Sequence, residues 1–387
     1  METTELIEAL SRGEDSRRQF KENFTNADAL AAEIVAFSNT AGGQIFIGVQ
    51  NDGTVLGLSG ADIDRLNQLI SNSASQNVRP AVNPLTENVP HPNGTVVVVT
   101  IPEGKAKPYM DRNGTIWVKN GSDKRRATSR EEIQRLFQSA SLIHADEVPA
   151  NGLTVADLDQ DYFGRFYEET YGEPVSDARL ALPQLLGNMN LARDSKLNVA
   201  GALLFAKAPQ YRLPAFIVKA VAYVGTDIED ERYTDSRDIT GKLADVFHQT
   251  LGFIVANTRA AQGEQGINSL GRPEIPLTAI EEIVANALVH RDYFVSAPVR
   301  VFIFANRVEI ISPGHLPNNL TVANIRAGVS NLRNPVLASF ATKILPYRGL
   351  GTGIQRTLKA HPHTDLKDDR DGNQFVVTLF RSPQTPS

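Results

Sequence analysis

The sequence has no cysteine, one tryptophan and three methionines in 387 residues. Without cysteine there is no disulfide scaffold, thiolate zinc site, iron–sulfur cluster or cysteine nucleophile. No apolar run approaches the ~20 residues that a membrane-spanning helix needs, so no membrane partner is expected. The formal charge is −5, so any contact with nucleic acid must come from a local patch. No G-x-x-x-x-G-K-[ST] loop is present, which excludes the P-loop route to a nucleotide. The opening METTELIEAL is acidic and lacks a basic leader or an apolar signal core, so a cytoplasmic location is expected. What is present is ordinary globular material, 41% hydrophobic and 21% charged. At about 150 residues per domain, the length allows two or three domains.

The pattern along the chain predicts an α+β protein of two domains. Residues 1–140 read as mixed helix and strand, with a helix from Ala29 to Phe37, a strand from Gln44 to Val49 and an amphipathic helix from Asp62 to Ser71. Val96 to Pro102 and Thr115 to Lys119 read as strands, and Ser129 as the cap of a further helix. The stretch LIHADEVPANGL marks a boundary, after which 141–180 reads as a helical linker and 181–387 as the second domain. There, Ala200 to Phe205 and Phe216 to Val224 read as strands, Ala279 to His290 as a helix, and Val299 to Ile311 as a strand pair turning near Ala305-Asn306-Arg307. The tail reads as helix, glycine turn (Gly349 to Gly353), helix, and a strand from Phe375 to Phe380.

Two groups of residues carry chemistry. At 100° per residue, Ile280, Ile283, Val284, Ala287 and Leu288 form one face of the 279–290 helix, and Glu282, Asn286 and His290 line up on the other. An acid, an amide and an imidazole so stacked suit a magnesium–phosphate group, with Asn286 as an oxygen ligand and Glu282 as a general base. The turn Ser312 to Pro317 and the turn Arg348 to Ile354 add places where backbone amides can meet phosphate. A solvated helix face remains the alternative. The second group lies between Lys105 and Arg126, where Lys105, Lys107, Arg112, Lys119, Lys124, Arg125 and Arg126 face only two acids. Tyr109 and Trp117 are interleaved and suit stacking on bases or ribose, a pattern that points to phosphate backbone. The alternatives are a solvated loop and a core tryptophan.

Two resemblances sharpen these readings. EEIVANALVHRDY (281–293), the SPGHLP turn, Arg333-Asn334-Pro335 and RGLGTGI resemble the divergent GHKL-type ATP-binding domain labelled RecG-like C-terminal. This implies a Bergerat-like α/β sandwich in which Asn286 holds Mg²⁺ and Glu282 is the base of any ATPase step. His290 and Arg291 would flank the phosphates, Gly351 and Gly353 would shape the lid, and Gly314, Arg333, Asn334, Gly349 and Thr352 would complete the site. No Asp-x-Gly-x-Gly adenine box appears, and Glu309 to Gly314 stands in its place. GEDSRRQFKENF, AFSNTAGGQIFIGVQNDGTVLGL and GTIWVKNGSDKRRATSREEI resemble the Schlafen AlbA_2 domain, which implies nucleic-acid binding. In nuclease members of that family, a set of carboxylates binds metal for RNA cleavage. Here Glu14 is kept, while Gln19 and Gln50 stand where carboxylates are expected, with Asp52 nearby.

These features together predict an ATP·Mg²⁺-responsive, homo-oligomeric nucleic-acid-binding protein, a transcriptional regulator on DNA rather than RNA. The chain ends without the winged helix that many such regulators append, which favours contacts to phosphates over base edges. Enzymatic activity is expected to be a weak ATPase at most. The runner-up is an ATP-gated Schlafen-like endonuclease acting on tRNA, of use in phage defence; a third alternative is a partner-binding ATPase module.

Overall fold

A computed structural model describes residues 1–140, 142–229, 232–261, 272–317 and 320–381. The chain divides into two compact units, Met1–Ile143 and His144–Ser387. The architecture is α+β, as the sequence pattern predicts.

In the first unit, α1 (Thr3–Ser11), β1 (Arg18–Lys21), α2 (Ala27–Asn39) and β2 (Gly43–Ile47) lead into α3 (Gly60–Asn72), β3 (Leu85–His91) and β4 (Gly94–Ile101). The hairpin β5 (Trp117–Asn120) and β6 (Asp123–Arg126) and helix α4 (Arg130–Ser139) close it. The main sheet has the order β1-β2-β4-β3, with β1 parallel to β2 and the other pairs antiparallel. Val96 to Val99 are buried on both faces of the central strand β4, where β-branched side chains pack best. The strand period of two sends Phe46, Val96 and Val98 to one face with Leu6 and Phe20, and Ile45, Val97 and Val99 to the other with Leu30 and Ile34. Each large aliphatic side chain so buried contributes roughly 1.5–3 kcal/mol before chain entropy is counted.

Asn26 caps α2, its side chain accepting from the Asp28 amide at 2.8 Å. At the far end, the buried Asn39 donates to the carbonyls of Tyr109 (2.8 Å) and Trp117 (2.9 Å) and accepts from the Tyr109 amide at 2.7 Å. Helix α2 is thereby tied to the hairpin that holds Lys119 and Lys124.

The second unit adds α5 (Gln160–Tyr171), α6 (Val199–Phe205), β7 (Val218–Tyr223), β8 (Tyr233–Ile239), α7 (Leu243–Asn257) and α8 (Leu277–Val289). These lead into β9 (Val299–Ile303), β10 (Arg307–Pro313), α9 (Pro335–Ile344), α10 (Gly353–Ala360), β11 (Thr364–Asp369) and β12 (Gln374–Phe380). The sheet has the order β8-β7-β9-β10-β12-β11; only β7 and β9 run parallel. Helix α8 packs against β10, α7 and α10. Phe163, Phe166 and Tyr167 of α5 lie in this unit's core, so residues 144–180 pack with the second unit, where the sequence suggests a linker.

One element differs in type. Ala200 to Phe205, expected as a strand, is the helix α6, capped by Asn198, whose side chain accepts from the Gly201 amide at 2.7 Å. All seven residues of α6 are buried, so they show no polar face whose period could separate helix from strand.

Candidate functional site

Helix α8 is buried almost all round, and its polar stripe faces a cavity of about 1040 Å³, mouth included. Glu282, Asn286 and His290, one turn apart, line one wall; Tyr347 and the Arg348–Gly351 turn line another, with Arg333 and Arg356 at the sides. Ile310, Leu320, Ile325, Phe375 and Val377 give the cavity an apolar lining. The solvated-face alternative for the stripe does not hold.

The buried Glu282 accepts a charged hydrogen bond from Nη2 of Arg356. Burial pushes its carboxyl up from the ordinary value, and Arg356 and Arg348 pull against that. Gly353 opens α10 at the closest approach, because a Cβ there would lie 2.5 Å from Oε2 of Glu282 and 3.2 Å from Nδ2 of Asn286. Nδ2 of Asn286 is itself buried without a hydrogen-bond partner, so its carboxamide has capacity in reserve. Nε2 of His290 lies 2.8 Å from the Tyr347 hydroxyl. Burial, with the Arg333 charge, pushes this imidazole down to about 4, so it is neutral at pH 7. Burial likewise pushes the Tyr347 phenol up to about 12. Arg333 donates from Nη2 to the His315 carbonyl at 2.6 Å, which fixes the turn after β10.

Gly314, Gly349, Gly351 and Gly353 line the same cavity as Asn286, His290 and Arg333. Three residues expected beside them are not in its lining. Arg291 is 1% exposed; it donates to the carbonyls of Val295 and Ala297 and lies over the rings of Phe216 and Tyr293. Asn334 donates to the carbonyls of Val289 (2.9 Å) and Arg291 (2.8 Å), satisfying the C-terminal end of α8. Thr352 occupies the cap position of α10 without a side-chain cap bond. Conversely, Arg356 and Tyr347 lie in the lining and are absent from the sequence-derived set, and Arg348, named there only as the start of the glycine turn, lies in it too. An Arg356 three residues past a glycine helix entry is the signal that could have found the first of them.

In the first unit, the strip's excess charge is largely paired. Lys107 lies 2.6 Å from Glu103, Arg112 2.6 Å from Asp28, Lys124 2.7 Å from Glu33, and Arg125 makes a two-pronged contact with Glu132 at 2.9 and 2.6 Å. Tyr109 is a core residue rather than a stacking platform. The half-buried Trp117 donates from its indole to Asp111 at 2.8 Å, and the exposed Arg126 lies 5.3 Å above its ring. Lys105, Arg112, Arg125 and Arg126 are exposed. Exposed pairs such as Arg112–Asp28 are worth at most about 1 kcal/mol, so their cations can pass to phosphate at little cost.

The acid set of this unit is taken up internally. Oε1 of Glu14 accepts from the Gln19 amide and from the Phe20 backbone N–H, each at 2.6 Å. Gln50 donates to Glu22 at 3.1 Å, and Asp52 accepts from the Thr54 backbone N–H at 2.9 Å within its own turn. Among the described residues, no three His, Cys, Asp or Glu side chains converge as metal ligands.

Comparison with protein families matches two segments of the chain. Residues 14–128 match the family described as Schlafen, AlbA_2, and residues 296–379 match "Putative ATP-dependent DNA helicase recG C-terminal". The chain joins a Schlafen AlbA_2 domain to a recG C-terminal domain. Glu14, Gln19 and the basic strip fall within the AlbA_2 match, whereas α8 lies just before the recG C-terminal match begins. These two domain types mark a nucleic-acid-binding, ATP-related protein. No curated protein matches.

Among solved structures, the DIP2311 protein from Corynebacterium diphtheriae is similar at 20% identity over 98% of this chain and 80% of its own, with a TM-score of 0.46. The N-terminal domain of a RecG-related protein from Nitrosomonas europaea is similar at 20% identity over 34% of this chain and 96% of its own, with a TM-score of 0.25. Among the described residues, no helix is long and apolar enough to cross a membrane.

The two domains answer differently to the groups their families imply. The second unit's cavity suits a nucleotide: an unpartnered amide N–H of Asn286, arginines at its sides and a glycine turn meet an apolar lining, and the Asn286 carboxamide oxygen is the group there that could hold Mg²⁺. The AlbA_2 acid set does not suit a divalent ion: Oε1 of Glu14 and Oε1 of Gln19 already accept from N–H groups, and the ammonium groups of Lys119 and Lys124 stand beside the acids.

Proposed function

We propose that the second domain binds ATP with Mg²⁺ and that bound nucleotide sets the affinity of the first domain for nucleic acid, with the chain acting as a DNA-binding transcriptional regulator. The observation that carries this reading is the stripe Glu282–Asn286–His290 facing a nucleotide-sized cavity closed by a glycine turn. Asn286 would hold the Mg²⁺, which when bound supplies charge neutralisation on the phosphates. Arg333, Arg348 and Arg356 supply further positive charge, and the Gly349–Gly353 turn offers backbone amides. The neutral His290 and its partner Tyr347 give a hydrogen-bonding wall that adds no charge. Glu282, held by Arg356, becomes a general base only when that guanidinium turns to phosphate, which favours slow turnover at most.

The nucleic-acid side rests on the exposed Lys105, Arg112, Arg125 and Arg126, which reach phosphates rather than base edges. The engaged Gln19 and Glu14 support binding without cleavage, against the tRNA nuclease reading. As a homo-oligomer, such a protein reads nucleotide level as a change in DNA occupancy.

The test is thermal unfolding of the chain with ATP·Mg²⁺. At one hundred times the dissociation constant, binding adds ~2.7 kcal/mol of stability. The reading expects a concentration-dependent rise in Tm that Asn286→Ala removes. Absence of any rise in the parent chain would overturn it.

A further inference from the structure

Near Glu14, the first domain holds a buried set of side chains that the nucleotide reading does not use. Nζ of Lys119, 8% exposed, donates to Oε1 of Gln19 at 2.6 Å and to the Ser122 carbonyl. Nε2 of Gln19 donates in turn to Oε1 of Glu14 at 2.6 Å. A continuous chain therefore runs from ammonium through amide to carboxylate. The ring of Phe37 lies 4.9 Å from the same ammonium. Beside it, Glu33 is 3% exposed; Oε1 pairs with Lys124 at 2.7 Å, and Oε2 is buried without a hydrogen-bond partner.

We propose that Lys119 is the resident cation of this acid site, standing where a divalent metal ion would sit among carboxylates, so that the AlbA_2 domain needs no metal to hold its site or to bind nucleic acid. Two acids, Glu14 and Glu33, face the ammonium groups of Lys119 and Lys124, with Lys21 also within electrostatic reach, so the acids are compensated before any ion arrives. A divalent ion would need several free oxygens at about 2.0–2.6 Å. It would also meet two positive charges in a poorly hydrated site, where repulsion is strong.

Gln19 fits this arrangement for a specific reason. An amide can accept from an ammonium and donate to a carboxylate at once, whereas a glutamate there would face Glu14 with like charge. The substitution of Gln for an acid and the placement of Lys119 are therefore two halves of one design. Burial lowers the Lys119 ammonium from its ordinary value, while Glu33 and Glu14 hold it up.

The nucleic-acid clause rests on the reading above; metal titration tests the cation by itself. Full-length protein without nucleotide is titrated with Mn²⁺ by calorimetry, alongside Glu14→Gln and the double variant Gln19→Glu/Lys119→Met. The expected result is no Glu14-dependent Mn²⁺ site in the parent chain, and one new site in the double variant. Labelled duplex DNA should bind the parent equally, within twofold, in EDTA and in Mg²⁺. A parent Mn²⁺ site lost in Glu14→Gln, DNA binding abolished by EDTA, or a folded double variant blind to Mn²⁺ would each overturn the proposal. If the double variant does not fold, the parent titration decides.

Discussion

Asp146 offers a prediction that can be worked through in numbers. Its side chain is fully buried, and Oδ2 accepts from the Leu337 amide at 2.8 Å in the first turn of α9, while Oδ1 has no partner. Burial raises its carboxyl from 3.8 to about 6, with the hydrogen bond from Leu337 opposing. Folding therefore favours the protonated form. The stabilisation is fully present below pH 3.8 and is lost as pH rises through about 6. At 1.36 kcal/mol per pH unit, the gap corresponds to about 3 kcal/mol.

Asp146→Asn keeps an acceptor for Leu337 and removes the titration. Any cost of an unpartnered amide is the same at every pH. The assay is urea unfolding of parent and variant from pH 4 to 8. The variant should gain about 2–2.5 kcal/mol on the parent between pH 4 and 7, the rest of the gap lying below pH 4, with most of the change between 4 and 6. Parallel curves would refute both the buried charge and the sign.

His290 has the opposite sign. Its imidazole is held at about 4 in the folded state against 6.5, so its stabilisation is present above pH 6.5 and lost as pH falls through 4; His290→Gln should flatten that limb of the urea profile. Gly201→Ala would place a Cβ 2.2 Å from the Leu191 carbonyl, so a loss of about 1–3 kcal/mol in urea unfolding is expected, and an unchanged midpoint would contradict the packing. Glu282→Gln should leave the ATP·Mg²⁺ thermal shift in place and abolish any phosphate release, which a steady-state assay reads directly.

Sequence legibility followed physical contrast. Helix α8 was readable to within two residues because its apolar and polar faces have a clear period, and the strand pair β9–β10 because Ala305-Asn306-Arg307 breaks it. Strands β1 and β11 were not readable: RQFK and TDLKDD carry too few apolar residues, and both are edge strands formed by pairing. Helix α6 failed for the opposite reason, being apolar all round.

At the site, the spacing of Glu282, Asn286 and His290 was enough to place them on one wall. It could not place Arg291, because the helix ends at Val289, two residues before it, and this guanidinium is buried among backbone carbonyls. Nor could charge counting reveal that Lys124 and Arg112 have carboxylate partners, since Glu33 and Asp28 lie 91 and 84 residues from them in sequence. Long-range pairing leaves no local trace.

The central claim is that nucleotide in the recG C-terminal domain controls nucleic-acid binding by the AlbA_2 domain. One gel tests it most directly, with labelled duplex DNA, tRNA and single-stranded RNA, each with and without ATP·Mg²⁺. The account predicts intact DNA probe whose shift changes with ATP·Mg²⁺, weakens steeply with salt, and stops responding to nucleotide in Asn286→Ala. A shift indifferent to ATP, or RNA shortened by the protein, would contradict it.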